Sequence, residues 1–296
     1  MSPTSIRFPC KPLFRGPEML EHKSILITGA SSGLGRALAL NYAEPGIRLA
    51  LIGRNSARLE ETAAAARAKG AEIVLGELDV RDRESMAKWI GEMDGLHPFD
   101  LAIANAGITT GLSPQATYEN PEAVRAILAT NLIGVLNTAE PLIPLMCARR
   151  RGQLAFIGSI AGLRGLPHSP AYSATKAAVH AYTESLRGRL EQRNVLVSLI
   201  IAGFVKTPLN DSIDSIKPLE MSDAQAAEII RRGLARGKAV IAFPWLLYTA
   251  ARFSRHLPLR LVDKIFARVA SSVPETRERV GELTRSEYAP VSRHDS

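Results

Sequence analysis

The fold is decided by residues 24–43, which read SILITGASSGLGRALALNYA. The apolar run at 24–28 is typical of a buried strand, and the pattern from 36 to 43 is that of a helix. The turn between them carries three glycines, which let the backbone approach a ligand closely, and the start of the helix adds free N–H groups. This order therefore predicts a site for dinucleotide phosphates. The residues predicted to form it are Gly29, Ser31, Ser32, Gly33, Leu34 and Gly35.

The alternation of strands and helices continues along the chain. Further strands are predicted at 48–53, 73–78, 100–104, 154–158, 195–201 and 238–243. Between them, helices are predicted at 56–69 and 82–93, through 130–132 to about 149, through 172 to about 192, and at 222–236. An unbroken alternation predicts an α/β fold, a parallel sheet with helices on both faces. The domain is expected at 23–243, between a loose tail at 1–22, a helical extension at 244–270 and a second tail at 271–296.

The composition limits the possible partners. A chain of 296 residues fits a single large α/β domain. The net charge of +8 favours an anionic partner such as a phosphorylated cofactor, a lipid surface or nucleic acid, but no zinc-finger spacing or basic-aromatic run supports nucleic acid. The two cysteines fit a reducing compartment, and neither a membrane-spanning apolar run nor a signal peptide is expected. The expectation is a soluble cytoplasmic protein without a metal site.

Tyr172 and Lys176 form the candidate catalytic pair. They are four residues apart in a predicted helix, so their side chains leave the same face. An ammonium beside a phenol favours the phenolate and would lower the tyrosine pKa from ~10 toward the range of a general acid or base. Ser159 ends a predicted strand, where its hydroxyl can point at a substrate above the sheet. Alone, the pair would equally fit a half-buried tyrosine beside a solvated lysine.

Arg54 bears on the choice of cofactor. It follows the second predicted strand, where an acidic residue would bind a ribose 2′-hydroxyl and an arginine suits a 2′-phosphate. The position therefore favours NADP(H) over NAD(H), the alternative being a solvated surface arginine.

Together these motifs resemble the short-chain dehydrogenase/reductase family. The resemblance covers roughly residues 22–243, and it is carried by residues 28–35, Asp79, Asn105, Ala106, Gly107, Asn131, Ser159, Tyr172 and Lys176. It implies a Rossmann-type, doubly wound, seven-stranded parallel sheet. It also implies hydride transfer between a nicotinamide cofactor and a small-molecule ketone or secondary alcohol. A homodimer or homotetramer is implied as well, with the helices around Asn131 and Tyr172 paired between subunits.

The resemblance also implies the roles of the catalytic residues. Tyr172 would exchange a proton with the substrate oxygen, and Ser159 would hydrogen-bond that oxygen. Lys176 would hold the nicotinamide ribose and lower the tyrosine pKa. Asn131 would support a water that links Lys176 to solvent.

Other residues would contact the cofactor. Asn105, Ala106 and Gly107 would line its cleft, with Asn105 also tying neighbouring strands together. Asp79 would accept from the adenine amino group and the Val80 backbone would lie at the ring, although Asp79 could also be a helix N-cap. Val205 and Thr207 belong to the loop that would cover the nicotinamide amide.

Two positions depart from the family pattern. Ala202 precedes Gly203 where a proline is usual, at the start of the loop that carries Val205 and Thr207. Ser32 stands where many NADP-preferring members carry a basic residue, so the NADP prediction rests mainly on Arg54.

The C-terminal part is the variable one. Residues 207–219 occupy the place of a substrate lid, and 222–225 read as a capping box that opens a helix. The stretch 245–269 is apolar at helical spacing and rich in arginine, and Pro258 would split it into two helices. It could pack on the domain, form a subunit interface, cover a lipophilic pocket or lie on an anionic membrane.

The leading hypothesis is an NADP(H)-dependent oxidoreductase acting on a lipophilic or sugar-derived ketone or alcohol. One alternative is an enzyme that modifies nucleotide sugars or polysaccharide precursors, although the spacing of Gly29, Gly33 and Gly35 is not that of the epimerase/dehydratase branch. Another is a non-catalytic NADP-binding regulator, which would be expected to have lost part of the catalytic set.

Overall fold

The structure is a computed structural model that describes residues 19–110, 112, 116–211, 217–258 and 260. The predicted tail at 271–296, most of the predicted tail at 1–22, and residues 261–270 of the predicted extension lie outside this part of the chain.

The described residues contain a seven-stranded sheet, as predicted. All neighbouring strands are parallel, in the order β3-β2-β1-β4-β5-β6-β7. The strand order reverses between β1 and β4, which is where ligands bind in doubly wound sheets. The strands are β1 (Ser24–Thr28), β2 (Arg48–Gly53), β3 (Glu72–Glu77), β4 (Leu101–Ala104), β5 (Gln153–Ser159), β6 (Leu196–Ala202) and β7 (Val240–Phe243).

The helices connect the strands in the predicted order. A π-helical turn at Ala129–Ile133 interrupts the helix predicted to run through residue 130 to about 149. A 3-10 turn at Ile160–Gly162 directly follows β5. Serine and glutamine side chains form the predicted capping box at Ser222 and Gln225. The helices are α1 (Gly33–Tyr42), α2 (Ser56–Arg67), α3 (Arg83–Leu96), α4 (Pro121–Leu128), α5 (Gly134–Ala139), α6 (Leu142–Arg149), α7 (Pro170–Leu190), α8 (Pro208–Asp211), α9 (Asp223–Ala235) and α10 (Trp245–Ser254).

The core has two apolar layers, one on each face of the sheet. Because side chains alternate along a strand, Ile25 and Ile27 of β1 face one layer with α1, α2 and α9, and Leu26 faces the other with α3, α5, α6 and α7. Both faces of the sheet are thus covered, which leaves the carboxyl ends of the strands as the open edge.

The last residues of the predicted N-terminal tail belong to the domain instead. The Leu20 N–H donates to Ala235 O at 2.7 Å, and the buried His22 ring is 2.8 Å from Gln153 Oε1. The prediction of a loose tail up to residue 22 is therefore wrong at its end. His22 finds its partner at the start of β5, and the Leu20 backbone finds its partner at the end of α9.

The helical run Pro121–Arg149 corrects another expectation. By length and composition it could cross a membrane, whereas the sequence predicts no apolar run of that length. However, 56% of its apolar window is buried inside the domain. A core helix of a globular domain passes the same test, and the packing of Val135, Leu142 and Met146 against the sheet agrees with that role.

Candidate active site

A cleft of about 740 Å³ lies at the carboxyl edge of the sheet. It is lined by every residue that the sequence predicts to contact a cofactor, and by Ser159. Asn131 is fully buried and does not line it. The predicted residues that the structure brings together in this cleft are Gly29, Ser31, Ser32, Gly33, Leu34, Gly35, Arg54, Asp79, Val80, Asn105, Ala106, Gly107, Ser159, Tyr172, Lys176, Val205 and Thr207.

The glycine-rich turn forms one wall of the cleft. Gly29 and Gly33 have φ values of +68° and +51°, which residues with a side chain rarely adopt. A Cβ on Gly35 would lie 2.6 Å from Asn105 Nδ2 and closer still to Gly29 O. The first turn of α1 carries no acidic residue, and the Ser32 side chain makes no capping hydrogen bond. The free N–H groups of this turn are therefore available to an anion.

Asn105 ties β1 to β4, as the sequence predicts. Its side-chain Nδ2 donates to Thr28 O at 2.9 Å, and the N–H groups of Asn105 and Ala106 donate to Thr28 Oγ1 at 3.0 and 3.2 Å. Thr28 was not among the predicted site residues. Its signal is a hydroxyl residue at the end of an otherwise apolar strand, directly before the first glycine of the turn.

Ser159, Tyr172 and Lys176 meet at the opposite end of the cleft. The Ser159 hydroxyl lies close enough to the Tyr172 phenol to influence its titration, which brings the last residue of β5 beside the first turn of α7. The buried Lys176 ammonium lies 5.6 Å from the centre of the Tyr172 ring and donates to Ile157 O at 2.9 Å. The predicted helical spacing thus places the phenol and the ammonium side by side.

The pKa of Tyr172 does not shift in the predicted direction. Burial raises the pKa of the phenol, and the hydrogen bond with Ser159 only partly opposes that effect. Burial also lowers the pKa of Lys176 to about 8. The prediction that Lys176 lowers the tyrosine pKa is therefore not met: removing the phenolate from water costs more than the hydrogen bond returns, and the ammonium is directed at Ile157 O.

His180 is a neighbour of this group that the sequence analysis missed. It follows Lys176 by four residues on α7, so it continues the face of Tyr172 and Lys176 one turn further. Its Nε2 accepts the Ser159 backbone N–H at 3.3 Å. The spacing in the sequence was the available signal.

Asn131 lies in the π-helical turn behind the cleft. Its Oδ1 accepts from Ile108 N and its Nδ2 donates to Ile108 O, both at 2.8 Å. The buried side chain thus holds the segment that follows β4. Widened turns of this kind are frequent at functional sites.

Arg54 and Asp79 lie together in the part of the cleft that is formed by the ends of β2 and β3. The Asp79 carboxylate forms a close ion pair with Arg81, at 2.7 Å, and lies 3.6 Å from Arg54 Nη1. The alternative that Asp79 caps helix α3 is wrong, because Asp82 is the N-cap and accepts from Ser85 N. Arg81 was also missed by the sequence analysis.

The loop after β6 closes over the glycine turn. Val205 is buried, and a Cβ on Gly33 would lie 3.2 Å from Thr207 Cβ. The short helix α8 follows, and it falls in the predicted lid at 207–219. Residues 212–216 of that lid lie outside the described residues.

The comparisons with known proteins identify the family. A family profile described as short chain dehydrogenase matches residues 23–217. The chain belongs to the short-chain dehydrogenase family. This short-chain dehydrogenase is 38% identical over 245 residues to an uncharacterized oxidoreductase of Myxococcus xanthus, a match that covers 82% of this chain and 96% of that protein.

Solved structures share the fold of this short-chain dehydrogenase. A metagenomic short-chain oxidoreductase in complex with NADP is 25% identical, with a TM-score of 0.62 over 72% of this chain and 90% of that one. A short-chain dehydrogenase/reductase from Burkholderia phymatum in complex with NAD is 22% identical, with a TM-score of 0.71 over 86% and 98% of the two chains. This short-chain dehydrogenase is an oxidoreductase with a Rossmann-like sheet.

Proposed function

We propose that this oxidoreductase transfers a hydride between NADP(H) and a ketone or secondary alcohol, with Tyr172 exchanging the proton. The observation that carries the proposal is that Ser159, Tyr172 and Lys176 line the same cleft as the glycine turn, with the Ser159 hydroxyl beside the phenol. A bound nicotinamide would supply or accept the hydride, and the two hydroxyls would hold the oxygen of the reacting carbon.

The residues of the cleft fit a dinucleotide. A Cβ on Gly29 would lie 2.8 Å from the Ala106 Cα, so bare backbone is what keeps this wall open. The N-terminus of α1 would hold the pyrophosphate through its N–H groups. At the other end, Lys176 would donate to the nicotinamide ribose. Because burial lowers its pKa only to about 8, its ammonium is mostly protonated at neutral pH.

Proton transfer would proceed from Tyr172 during ketone reduction. The raised pKa keeps the phenol protonated at neutral pH, which suits a group that donates a proton to a carbonyl oxygen. The Ser159 hydroxyl would stabilise the negative charge that develops on that oxygen. The Asn131 side chain is committed to Ile108, so its main chain would be the group that anchors the proposed water.

The preference for NADP(H) rests on the charges around Arg54. Arg54 and Arg58 line the cleft, and the Asp79 carboxylate between Arg54 and Arg81 is the acidic group at that end. Three guanidinium groups against one carboxylate leave net positive charge where the adenine ribose would lie. A 2′-phosphate would be stabilised there by charge-assisted hydrogen bonds.

The first experiment follows NADPH consumption with lipid-like, steroid-like, sugar-derived and small ketones. We expect turnover that falls at least ~100-fold in Tyr172→Phe, with NADPH binding retained. Tyr118→Phe is the matched control, because Tyr118 is exposed and outside the cleft. Undiminished turnover in Tyr172→Phe would remove it as the proton donor. Activity restricted to sugar-derived ketones would favour the polysaccharide-precursor alternative, and NADPH binding without any turnover would favour the regulator.

Cofactor choice has its own test. Arg54→Ala should raise the KM for NADPH about tenfold and change the KM for NADH less than about twofold, since only the 2′-phosphate contact is lost. Arg67→Ala, which removes an exposed arginine paired with Glu60, is the control. Equal effects on the two cofactors would contradict the assignment.

We also propose a cytoplasmic enzyme that binds peripherally to anionic lipid through helix α10. Trp245, Leu246 and Phe253 of this helix are exposed, by 72% and 66% at the two aromatic residues, and Ala251 is the buried residue of the helix. Leu257, just after the helix, is exposed as well. Packing on the domain, one of the predicted alternatives, therefore does not cover these side chains within the described residues.

The positive charges beside this face favour anionic lipids. Arg252, Arg255 and Arg260 are exposed, and the sequence has no acidic residue from 245 to 262. Apolar side chains flanked by arginines suit anionic headgroups. Helix α10 packs against the turn Ile160–Gly162, directly after Ser159. Lipid contact there would bring the substrate end of the cleft to the membrane, which supports a lipophilic ketone as substrate.

Vesicle cosedimentation tests this contact. Binding is expected to phosphatidylserine-containing vesicles and not to phosphatidylcholine alone, to weaken with salt, and to fall at least ~5-fold in Trp245→Ala/Phe253→Ala. Leu96→Ala removes an equally exposed apolar side chain on α3 and should have no effect. Failure to bind vesicles, together with a change of sedimentation coefficient in the α10 variant, would make this face a subunit interface instead.

A further inference from the structure

The end of strand β5 extends beyond its neighbour. Strand β4 ends at Ala104, which pairs with Phe156, while β5 continues to Ser159 and pairs there only with β6. The backbone groups on the side of β4 therefore need partners from outside the sheet.

Helix α7 supplies these partners from one face. Lys176 Nζ donates to Ile157 O at 2.9 Å, and His180 Nε2 accepts the N–H of Ser159 at 3.3 Å. Tyr172 lies one turn before Lys176, so Tyr172, Lys176 and His180 reach the same strand end from three consecutive turns of the helix. Tyr172 lies beside the Ser159 hydroxyl, Lys176 donates to the Ile157 carbonyl, and His180 accepts from the Ser159 amide.

Two glycines make room for the imidazole. A Cβ on Gly158 would lie 2.5 Å from His180 Nε2, and a Cβ on Gly162 would lie 2.8 Å from His180 Cε1. Gly158 directly before Ser159 and Gly162 three residues after it thus leave the space into which the ring packs. The ring itself is buried.

The hydrogen bond defines the protonation of the ring. A backbone N–H can only donate, so Nε2 accepts and the neutral ring carries its proton on Nδ1. Burial, with the cations of Lys176 and Arg255, lowers the pKa of His180 to about 4. The acceptor is therefore present throughout the neutral range.

We propose that His180 is a positioning residue that aims the Ser159 hydroxyl at the reacting oxygen. It acts through the Ser159 amide, and the assignment rests on the proposed function of Ser159. Without this acceptor the Ser159 amide loses its tie to α7, and the hydroxyl moves relative to Tyr172. A misplacement of about 1 Å in a catalytic group can reduce turnover about 100-fold.

The test compares His180→Leu, which removes the acceptor, with His180→Gln, whose Oε1 can replace Nε2. The His180→Leu change should lower kcat about 10- to 100-fold with KM and NADPH affinity changed less than about twofold. Most of the rate should return in His180→Gln. If His180→Leu does not fold, His180→Asn takes its place, because its amide is too short to reach Ser159. Unchanged kcat, or equal losses in the acceptor and non-acceptor variants, would overturn the proposal.

A double-mutant cycle separates positioning from general damage. In a Ser159→Ala background, His180→Leu should cost less than about threefold, because the group that it positions is already gone. A full additional loss in that background would show that His180 acts elsewhere.

Hydrogen exchange tests the contact without any substrate. Exchange at the Ser159 amide should accelerate at least ~10-fold in His180→Leu and remain near the wild-type rate in His180→Gln. Equal exchange in all three proteins would overturn the proposal. If the wild-type enzyme turned over no ketone, the proposed function would fail while this readout would still decide the role of His180.

Discussion

Single residues set the shape of the cofactor end of the cleft. Gly35 has an ordinary helical backbone conformation in α1, so the reason why a side chain cannot be placed there is purely steric. The atoms that exclude a side chain there are Gly29 O and Asn105 Nδ2, which also hold the glycine turn against β4. A methyl group at this position would push the turn away from the adjoining strand.

Gly35→Ala should therefore abolish measurable NADPH binding while the domain still folds. Gly91→Ala is the matched control: Gly91 is also helical, but nothing lies within 4 Å of its would-be Cβ. That change should retain binding and stabilise the domain by about 0.5–1 kcal/mol, since alanine favours helices. Fluorescence titration and urea denaturation measure the two effects. Normal binding by Gly35→Ala would contradict the assigned phosphate site.

Ser159 should also affect the pH dependence of alcohol oxidation. Oxidation needs the Tyr172 phenolate, so its rate rises with pH through the tyrosine pKa, which burial raises and Ser159 lowers. Ser159→Ala removes the lowering effect, so the rising limb of kcat/KM should move to higher pH in the residual activity. Ser173→Ala is the control, because its hydroxyl bonds Leu166 N instead. A limb that stays in place would show that Ser159 does not tune the phenol.

At the scale of elements, the ends of helices are linked beneath the sheet. Asp94 near the end of α3 accepts from Arg149 at the end of α6, at 2.6 and 3.0 Å. Its Oδ1 also accepts from Phe99 N, and Arg149 donates to Phe99 O at 2.9 Å. Asp94 is buried, and the hydrogen bonds from Arg149 and Phe99 satisfy both of its carboxylate oxygens.

Asp94→Asn should lower the free energy of unfolding by about 3 kcal/mol, because it leaves the Arg149 guanidinium without its countercharge. Arg83→Gln breaks the exposed pair with Glu140 and should change it by less than about 0.5 kcal/mol. Urea denaturation at pH 7 gives both values. Similar losses in the two variants would show that burial does not strengthen the first pair.

At the scale of the whole molecule, an apolar surface remains on the helices around Asn131. Leu128, Ile133 and Leu145 are exposed on α4, the π-helical turn and α6. The family resemblance predicts subunit contacts in this region, so we propose a homodimer or homotetramer that buries these side chains.

Ile133→Glu should shift the protein toward smaller species in sedimentation velocity, because a carboxylate would be buried at the contact. Leu96→Glu, at a similarly exposed position on α3, should leave the sedimentation coefficient unchanged. A monomeric wild-type protein, or an unchanged coefficient in Ile133→Glu, would contradict the proposed contact.

Local pattern was enough for the fold and for most of the candidate site. Short continuous apolar runs, alternating with stretches of helical spacing, predict the seven strands and their order of connection. The four-residue spacing of Tyr172 and Lys176 places both side chains on one helix face before any coordinates are known. The glycine turn is equally local, since its neighbours in sequence form both the strand and the helix that it joins.

Only the tertiary structure decided how these groups are tuned. The pKa of Tyr172 rises because other elements bury it, and His180 reaches Ser159 because β4 ends before β5 does. The bonds of Thr28 to Asn105 and of Asn131 to Ile108 likewise join elements that are distant along the chain. Sequence spacing determines which side chains share a face, whereas desolvation and long-range hydrogen bonds depend on what packs against that face.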